Sequence, residues 1–340
     1  MMKSPRYLII FVLLFAGTGV QPCNADPLAI TPFYTYNQSP LAQIYGLPAT
    51  ESAIIQPPGH TWSLLALDVA NNFDTRGTNR EKILLDGESN RLTLALRYGL
   101  TDKLEVGMDL PWVGYSGGIF DSFVEEFHHF FGLPNGGRPK APRDRLLFTY
   151  EKDGLERLRM DDASFGVGDM RLTGGWQLYY DGNANPCAVA LRASLKLPTG
   201  STAKLRGSGS TDIALWLSGS DDYLLPGSWG HMALFVAAGG MAMTDGKVLK
   251  DQQADLAGFG SLGLGWSPAD WIALKAQFSA HSRLYRGSNL GELSRPAVLI
   301  ILGGTYAFTP KTAMDIALTE DASIAASPDV ALHLGLTHQF

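Results

Sequence analysis

Apolar and polar side chains alternate along most of this 340-residue chain, and the clearest run is its last. In the stretch 330–340, Val330, Leu332, Leu334, Leu336 and Phe340 share one parity, while Ala331, His333, Gly335, Thr337 and Gln339 share the other. Successive side chains of a strand point to opposite faces, so this stretch is apolar on one side and small or polar on the other. The same period predicts twelve strands: 60–73, 88–100, 103–114, 163–180, 186–198, 209–220, 229–243, 256–267, 270–285, 296–308, 311–320 and 329–340. The connections alternate between short turns, at Thr101–Lys103, Asp181–Asn185, Ser267–Trp271 and Thr309–Lys311, and mostly longer loops. The connection 221–228 is the longest of the short class.

Parity sets the register. A three-residue hairpin at Thr101–Lys103 places Leu100 opposite Leu104 and Arg97 opposite Gly107, with every apolar residue on one face. The same rule at Thr309–Lys311 matches Tyr306 with Met314 and Thr305 with Asp315. If residue 60 lies at the short-turn rim, Tyr98, Trp176, Tyr180, Trp266, Tyr306, Phe308 and Phe340 all fall near that rim on the outward parity. Such a level of outward aromatics is an interfacial girdle, which a soluble sandwich does not need. The expected fold class is all-β: a transmembrane antiparallel up-and-down β-barrel of about twelve strands, with short turns at the periplasmic rim.

Composition agrees. Hydrophobic residues are 45% of the chain and mean hydropathy is +0.01, as when half of each strand faces a polar lumen. After the leader no uninterrupted apolar run reaches the length of a membrane helix. The net charge of −6 argues against nucleic acid as a partner.

Lys3 and Arg6 precede an apolar run from Tyr7 to Val20, and Cys23-Asn24-Ala25 offers small residues for cleavage. Residues 1–25 therefore read as a cleaved signal peptide. Lipidation at Cys23 is the alternative, against which Val20-Gln21-Pro22-Cys23 departs from the usual lipobox. Cleavage leaves Cys187 as the one cysteine, which excludes an internal disulfide. Residues 26–59 carry five prolines between Pro32 and Pro58, which deny them a long regular element. This segment is either a periplasmic lead-in or a plug folded into the barrel formed by 60–340.

The insertion 115–162 is too long for an idle connection. Within it Ile119, Phe123, Phe127 and Phe131 recur every fourth residue, predicting an amphipathic helix over 119–131 that ends at Gly132 and Pro134. It either lies outside the barrel or folds into the lumen. Glu125 with His128 and Glu126 with His129 have a spacing that can ligate metal, but one helix offers too few ligands. No metal or cofactor is expected.

Several segments resemble an uncharacterised family of Gram-negative outer-membrane proteins grouped as a domain of unknown function. They are Asn37–Leu41, Ile44–Pro48, Gly118–Phe123 with Glu126–His128, and Phe131–Arg138. The resemblance implies an outer-membrane barrel and brings no activity or catalytic residues. The closing strand also resembles the last strand of bacterial outer-membrane barrels. That implies two partners, outer-membrane lipid and the barrel-assembly machinery, the latter reading the strand that ends at Phe340. His338 departs from that pattern, standing where an aromatic or aliphatic residue is usual.

Candidate chemistry lies on the inward parity, which also carries Arg91, Lys103, Asp169, Lys196, Asp212, Lys275, His281, Arg283 and Asp315. There Arg97, Glu105, Asp109, Arg171 and Arg192 are expected to form a mixed-charge belt on one lumen wall. Such a belt either braces the wall with ion pairs or selects solutes. No nucleophile-elbow, zincin or P-loop pattern occurs, and the Gly-rich runs at Gly166–Asp169 and Gly207–Ser210 open strands rather than helices. Three functions fit these features: a channel or uptake barrel for small solutes, a structural or adhesive surface barrel, and, with least support, an outer-membrane lipid-modifying enzyme.

Overall fold

A computed structural model describes residues 28–118, 142, 144–183, 185–322 and 326–340. The signal peptide, Cys23, the predicted helix 119–131 and the Glu125, Glu126, His128 and His129 pairs lie outside the described residues. Fifteen antiparallel strands form one sheet: β1 (Thr61–Gly77), β2 (Glu81–Thr101), β3 (Leu104–Ser116), β4 (Leu147–Lys152), β5 (Leu155–Met160), β6 (Ser164–Val167), β7 (Arg171–Tyr180), β8 (Cys187–Lys196), β9 (Asp212–Leu224), β10 (His231–Met243), β11 (Leu256–Ala269), β12 (Ile272–His281), β13 (Ala297–Thr309), β14 (Thr312–Asp321) and β15 (Val330–Gln339). β1 pairs with both β2 and β15, so the sheet closes on itself. β6 and β7 both pair with β3 and form one wall position, giving a closed barrel of twelve positions. Closure leaves the spanning strands no edge to protect.

The expected registers hold along the strands: Tyr306 lies opposite Met314 and Thr305 opposite Asp315, and Arg97 lies opposite Gly107. At the turns they slip by one residue, so that Thr101 rather than Leu100 pairs with Leu104 and Thr309 pairs with Thr312. Parity sorts the faces on most of the spanning strands; on β9, for instance, Ile213, Leu215 and Leu217 stand about half exposed while Asp212, Ala214, Trp216 and Ser218 are buried. The exposed set is the band that meets lipid.

Three departures have local causes. The predicted strand 163–180 is broken at Gly168–Met170, because Asp169 turns inward: it accepts from Lys196 Nζ at 2.6 Å, Gly200 N at 2.8 Å and Ser208 N at 3.2 Å. The Gly207 run is built around the same carboxylate, since a Cβ there would sit 2.2 Å from Asp169 Oδ1. Within the insertion, β4 and β5 form a hairpin that pairs with the long-loop end of β2. Its turn uses Asp153 and Gly154, both at positive φ (52° and 77°), the type I′ pattern. Finally, Lys103 sits exposed in a turn and Arg283 exposed beyond the end of β12, so neither faces the lumen.

Candidate functional site

The barrel is filled by its own N-terminal segment. Residues 28–57 enter at the short-turn rim, rise through the lumen, turn over Ser39–Tyr45 near the long-loop rim and descend again to β1. Going up, Phe33 N donates to Gln277 Oε1 at 2.9 Å and Thr35 Oγ1 to Asp68 Oδ1 at 2.8 Å, while Asn37 Nδ2 lies 2.9 Å from His281 Nε2. Coming down, Gly46 N donates to Asp212 Oδ2 at 2.7 Å, Thr50 Oγ1 to Ser261 Oγ at 2.8 Å and Ile55 N to Gln177 Oε1 at 3.0 Å. These partners sit on β1, β7, β9, β11 and β12, so the segment is surrounded by wall.

Its four prolines and irregular path leave backbone carbonyls without partners of their own, which is tolerated at membrane depth only where the wall supplies donors. The wall does so with cations. Lys275 Nζ donates to Thr31 O at 2.9 Å, Lys196 Nζ to Ile44 O at 3.3 Å, Arg171 Nη2 to Leu47 O at 2.8 Å and Arg192 Nη2 to Ser52 O at 2.7 Å.

The five belt residues meet halfway down, all buried. Arg97 Nη1 donates to Asp109 Oδ1 at 2.9 Å, Arg192 Nη1 to Glu105 Oε1 at 3.0 Å, and Arg171 Nη1 lies 3.7 Å from Asp109 Oδ2. The segment adds two groups that the strand pattern does not reveal. Tyr34 hydroxyl donates to Asp109 Oδ2 at 2.7 Å and accepts from Arg97 Nη2 at 3.0 Å. Glu51 Oε2 accepts from Arg97 Nε at 2.7 Å and from Arg192 Nη1 at 3.2 Å. A signal for Glu51 was available: it is the only charged residue between Pro27 and Gly59.

The two ends of the lumen differ. At the long-loop end the turn residues Leu41, Ile44, Tyr45 and Leu47 join Tyr115, Trp216, Met241, Tyr285 and Leu293 in an apolar core, and Tyr285 hydroxyl donates to Leu41 O at 2.9 Å. At the short-turn end a cavity of about 1340 Å³ is lined by Trp62, Ile55, Gln177 and His231, with Arg97, Arg192, Glu51 and Glu105 on its surface. This vestibule ends at the charge cluster, while among the described residues the long-loop end is packed by the apolar core.

Outside, Tyr98, Trp176, Phe308 and Phe340 are exposed at the short-turn rim, with Trp266 against Trp229 and Tyr306 between Trp271 and Phe308. Tyr180 is exposed there too, beside Tyr179. A bulge between Gln177 and Tyr179 shifts the pairing at this end, so that Tyr179 lies opposite Val189 and Tyr180 opposite Ala188. Among the described residues no cluster of three metal-ligating side chains occurs.

The family described as "Protein of unknown function (DUF3187)" matches residues 8–340. No curated protein matches the chain. Among solved structures, it is similar to the COG4313 outer membrane channel from Pseudomonas putida F1, at 16% identity and a TM-score of 0.54, over 85% of this chain and 98% of that one. It is more loosely similar to the NanC porin, at 7% identity and a TM-score of 0.43, over 81% and 98% of the two chains. It also aligns with the Pseudomonas putida toluene transporter TodX, at 10% identity and a TM-score of 0.32, over 93% and 94%. The first likeness agrees with the barrel described above. With its lipid-facing band and aromatic rim, the molecule is a barrel of the bacterial outer membrane.

Proposed function

Since the chain belongs to the DUF3187 family, whose description assigns no activity, we propose from the lumen itself that it is a gated channel for small solutes, closed by residues 28–57. One observation supports this reading: both limbs of the segment enter from the same, short-turn rim and meet a wall that is polar and charged. A loop of that kind can withdraw without threading chain through the outer mouth. A lumen filled only to brace the barrel has no need of a charged wall, because buried ion pairs add little or nothing to stability over apolar packing.

Planar-bilayer recording on purified barrels is the test. The full chain should open rarely, and a variant lacking residues 28–57 should conduct steadily while keeping the heat-modifiable gel mobility of a folded barrel. A folded deletion variant that passes no current would refute the reading and favour a structural surface barrel.

A further inference from the structure

We propose that Arg97 and Arg192 form a binding site for the carboxylate of an organic anion, and that Glu51 occupies this site as an internal surrogate while the barrel is closed. This rests on the gated-barrel reading above. The site is built into the wall and does not depend on the segment. Arg97 is held by Asp109 at 2.9 Å and Arg192 by Glu105 at 3.0 Å, both within the barrel, and the two arginine side chains are 3% exposed. Guanidinium groups fixed in this way are preorganised for carboxylate.

Charge then asks for one more anion. Arg97, Arg171 and Arg192 face Glu105 and Asp109 on the wall, so three positive charges meet two negative ones until Glu51 supplies the third. Withdrawing the segment leaves one cation uncompensated in a buried setting, which is costly unless a solute replaces the carboxylate. The missing charge is a single one, which suits a carboxylate and overshoots with a phosphate dianion. The vestibule beside the pair is lined by Trp62, Ile54 and Ile55, so the body of the anion that fits is apolar. A carboxylate that displaces Glu51 thereby loosens the segment, coupling recognition to opening.

The probe is benzoate, with benzamide as its uncharged counterpart and inorganic phosphate as a different anion, all added at the short-turn face of the full-length protein in planar bilayers. Benzoate is expected to raise open probability at least about tenfold, benzamide and phosphate to have no effect, and the open state to favour anions in its reversal potential. Glu51→Gln is expected to open the barrel without ligand and to abolish the benzoate response. Glu51→Asp retains the charge with a shorter reach and should open partway and still respond, which separates loss of the site from misfolding. If the variant lacking 28–57 conducts but benzoate leaves the full chain shut, or Glu51→Gln stays closed, the anion site falls and the gate stands. An equal response to phosphate overturns the carboxylate assignment. A silent deletion variant removes the gate and this inference with it.

Discussion

Substituting Gly46 tests whether the segment closes the lumen by docking on the wall. A Cβ at position 46 would lie 2.8 Å from Asp212 Cβ, closer than real Cβ atoms come, and 3.3 Å from Lys196 Cβ, tighter than most real contacts. Neither neighbour can swing away, because Lys196 Nζ is held by Asp169 at 2.6 Å and by Ser208 Oγ at 2.6 Å, and Asp212 lies 3.3 Å from Lys196. In Gly46→Leu the segment must therefore move. Overpacking costs about 1–3 kcal/mol, and losing the 2.7 Å bond from Gly46 N to Asp212 costs about 1.5–3 kcal/mol more. The total, roughly 2.5–6 kcal/mol, lowers the docked-to-undocked ratio by about two to four orders of magnitude. Single-channel recording reads this directly as longer and more frequent openings. Gly258→Ala is the control, since its Cβ would meet only Gly239 O at 3.9 Å. A Gly46→Leu barrel that is folded yet opens as rarely as the parent would show that this contact does not hold the gate.

Three further perturbations probe other parts of the molecule. On the stretch of β1 beyond the membrane, Asp74 is pushed up to about 7 by burial and by the facing Glu292 carboxylate, with Asp329 adding to the rise and Arg76 opposing it. An acid whose folded pKa is raised holds its contact fully below its unfolded value near 4 and weakens it as pH climbs to 7. Amide exchange over 290–295, corrected for intrinsic rate, should therefore quicken from pH 5 to pH 8, and Asp74→Asn should remove the trend; a pH-independent parent would contradict the pairing. In Gly107→Ala the new methyl would lie 2.6 Å from Arg97 Cδ and 2.3 Å from Leu96 O. Urea titration should show about 1–3 kcal/mol lost, and an unchanged midpoint would mean that Arg97 does not lie over Gly107. Gly154→Val forces a β-branched residue to positive φ, costing about 1–2 kcal/mol. Limited proteolysis should then cut the β4–β5 hairpin while the barrel keeps its melting temperature, and an uncut hairpin would argue against the type I′ turn.

The wall was legible in the sequence because its backbone follows one rule. Each strand bonds to its neighbours and shows alternate side chains to lipid and lumen, so Arg97 opposite Gly107 and Thr305 opposite Asp315 follow from parity and turn length. The rule fails where a side chain does the bonding. The bulge that moves Tyr180 coincides with Gln177 Nε2 donating to Val189 O at 3.0 Å and to Tyr179 O at 2.8 Å. The β4–β5 hairpin carried a readable Asp-Gly signal inside the long insertion, where no barrel position was left for it to fill. The segment 28–57 has no period at all, since its carbonyls are satisfied by lysines and arginines far away in sequence. Five belt residues could thus be named without the carboxylate that joins them.

That difference in bonding also sets how the lumen can open. The wall's charges are paired across the wall itself, as in Arg97 with Asp109, Arg192 with Glu105, Lys196 with Asp169, and Lys275 with Asp315. Removing the segment leaves those pairs intact within the wall, so they add little to the cost of opening. The segment's carbonyls exchange wall donors for water donors, a swap worth only about 0.5–1.5 kcal/mol for each neutral bond and somewhat more for those to cations. The apolar turn at the outer end resists withdrawal by burial alone, which has no chemical specificity. Glu51 differs from all of these, because its departure leaves a positive charge in the wall that water at the foot of a narrow vestibule compensates poorly. The energy of closure is thus spread along the segment, while its chemical selectivity is concentrated at one carboxylate.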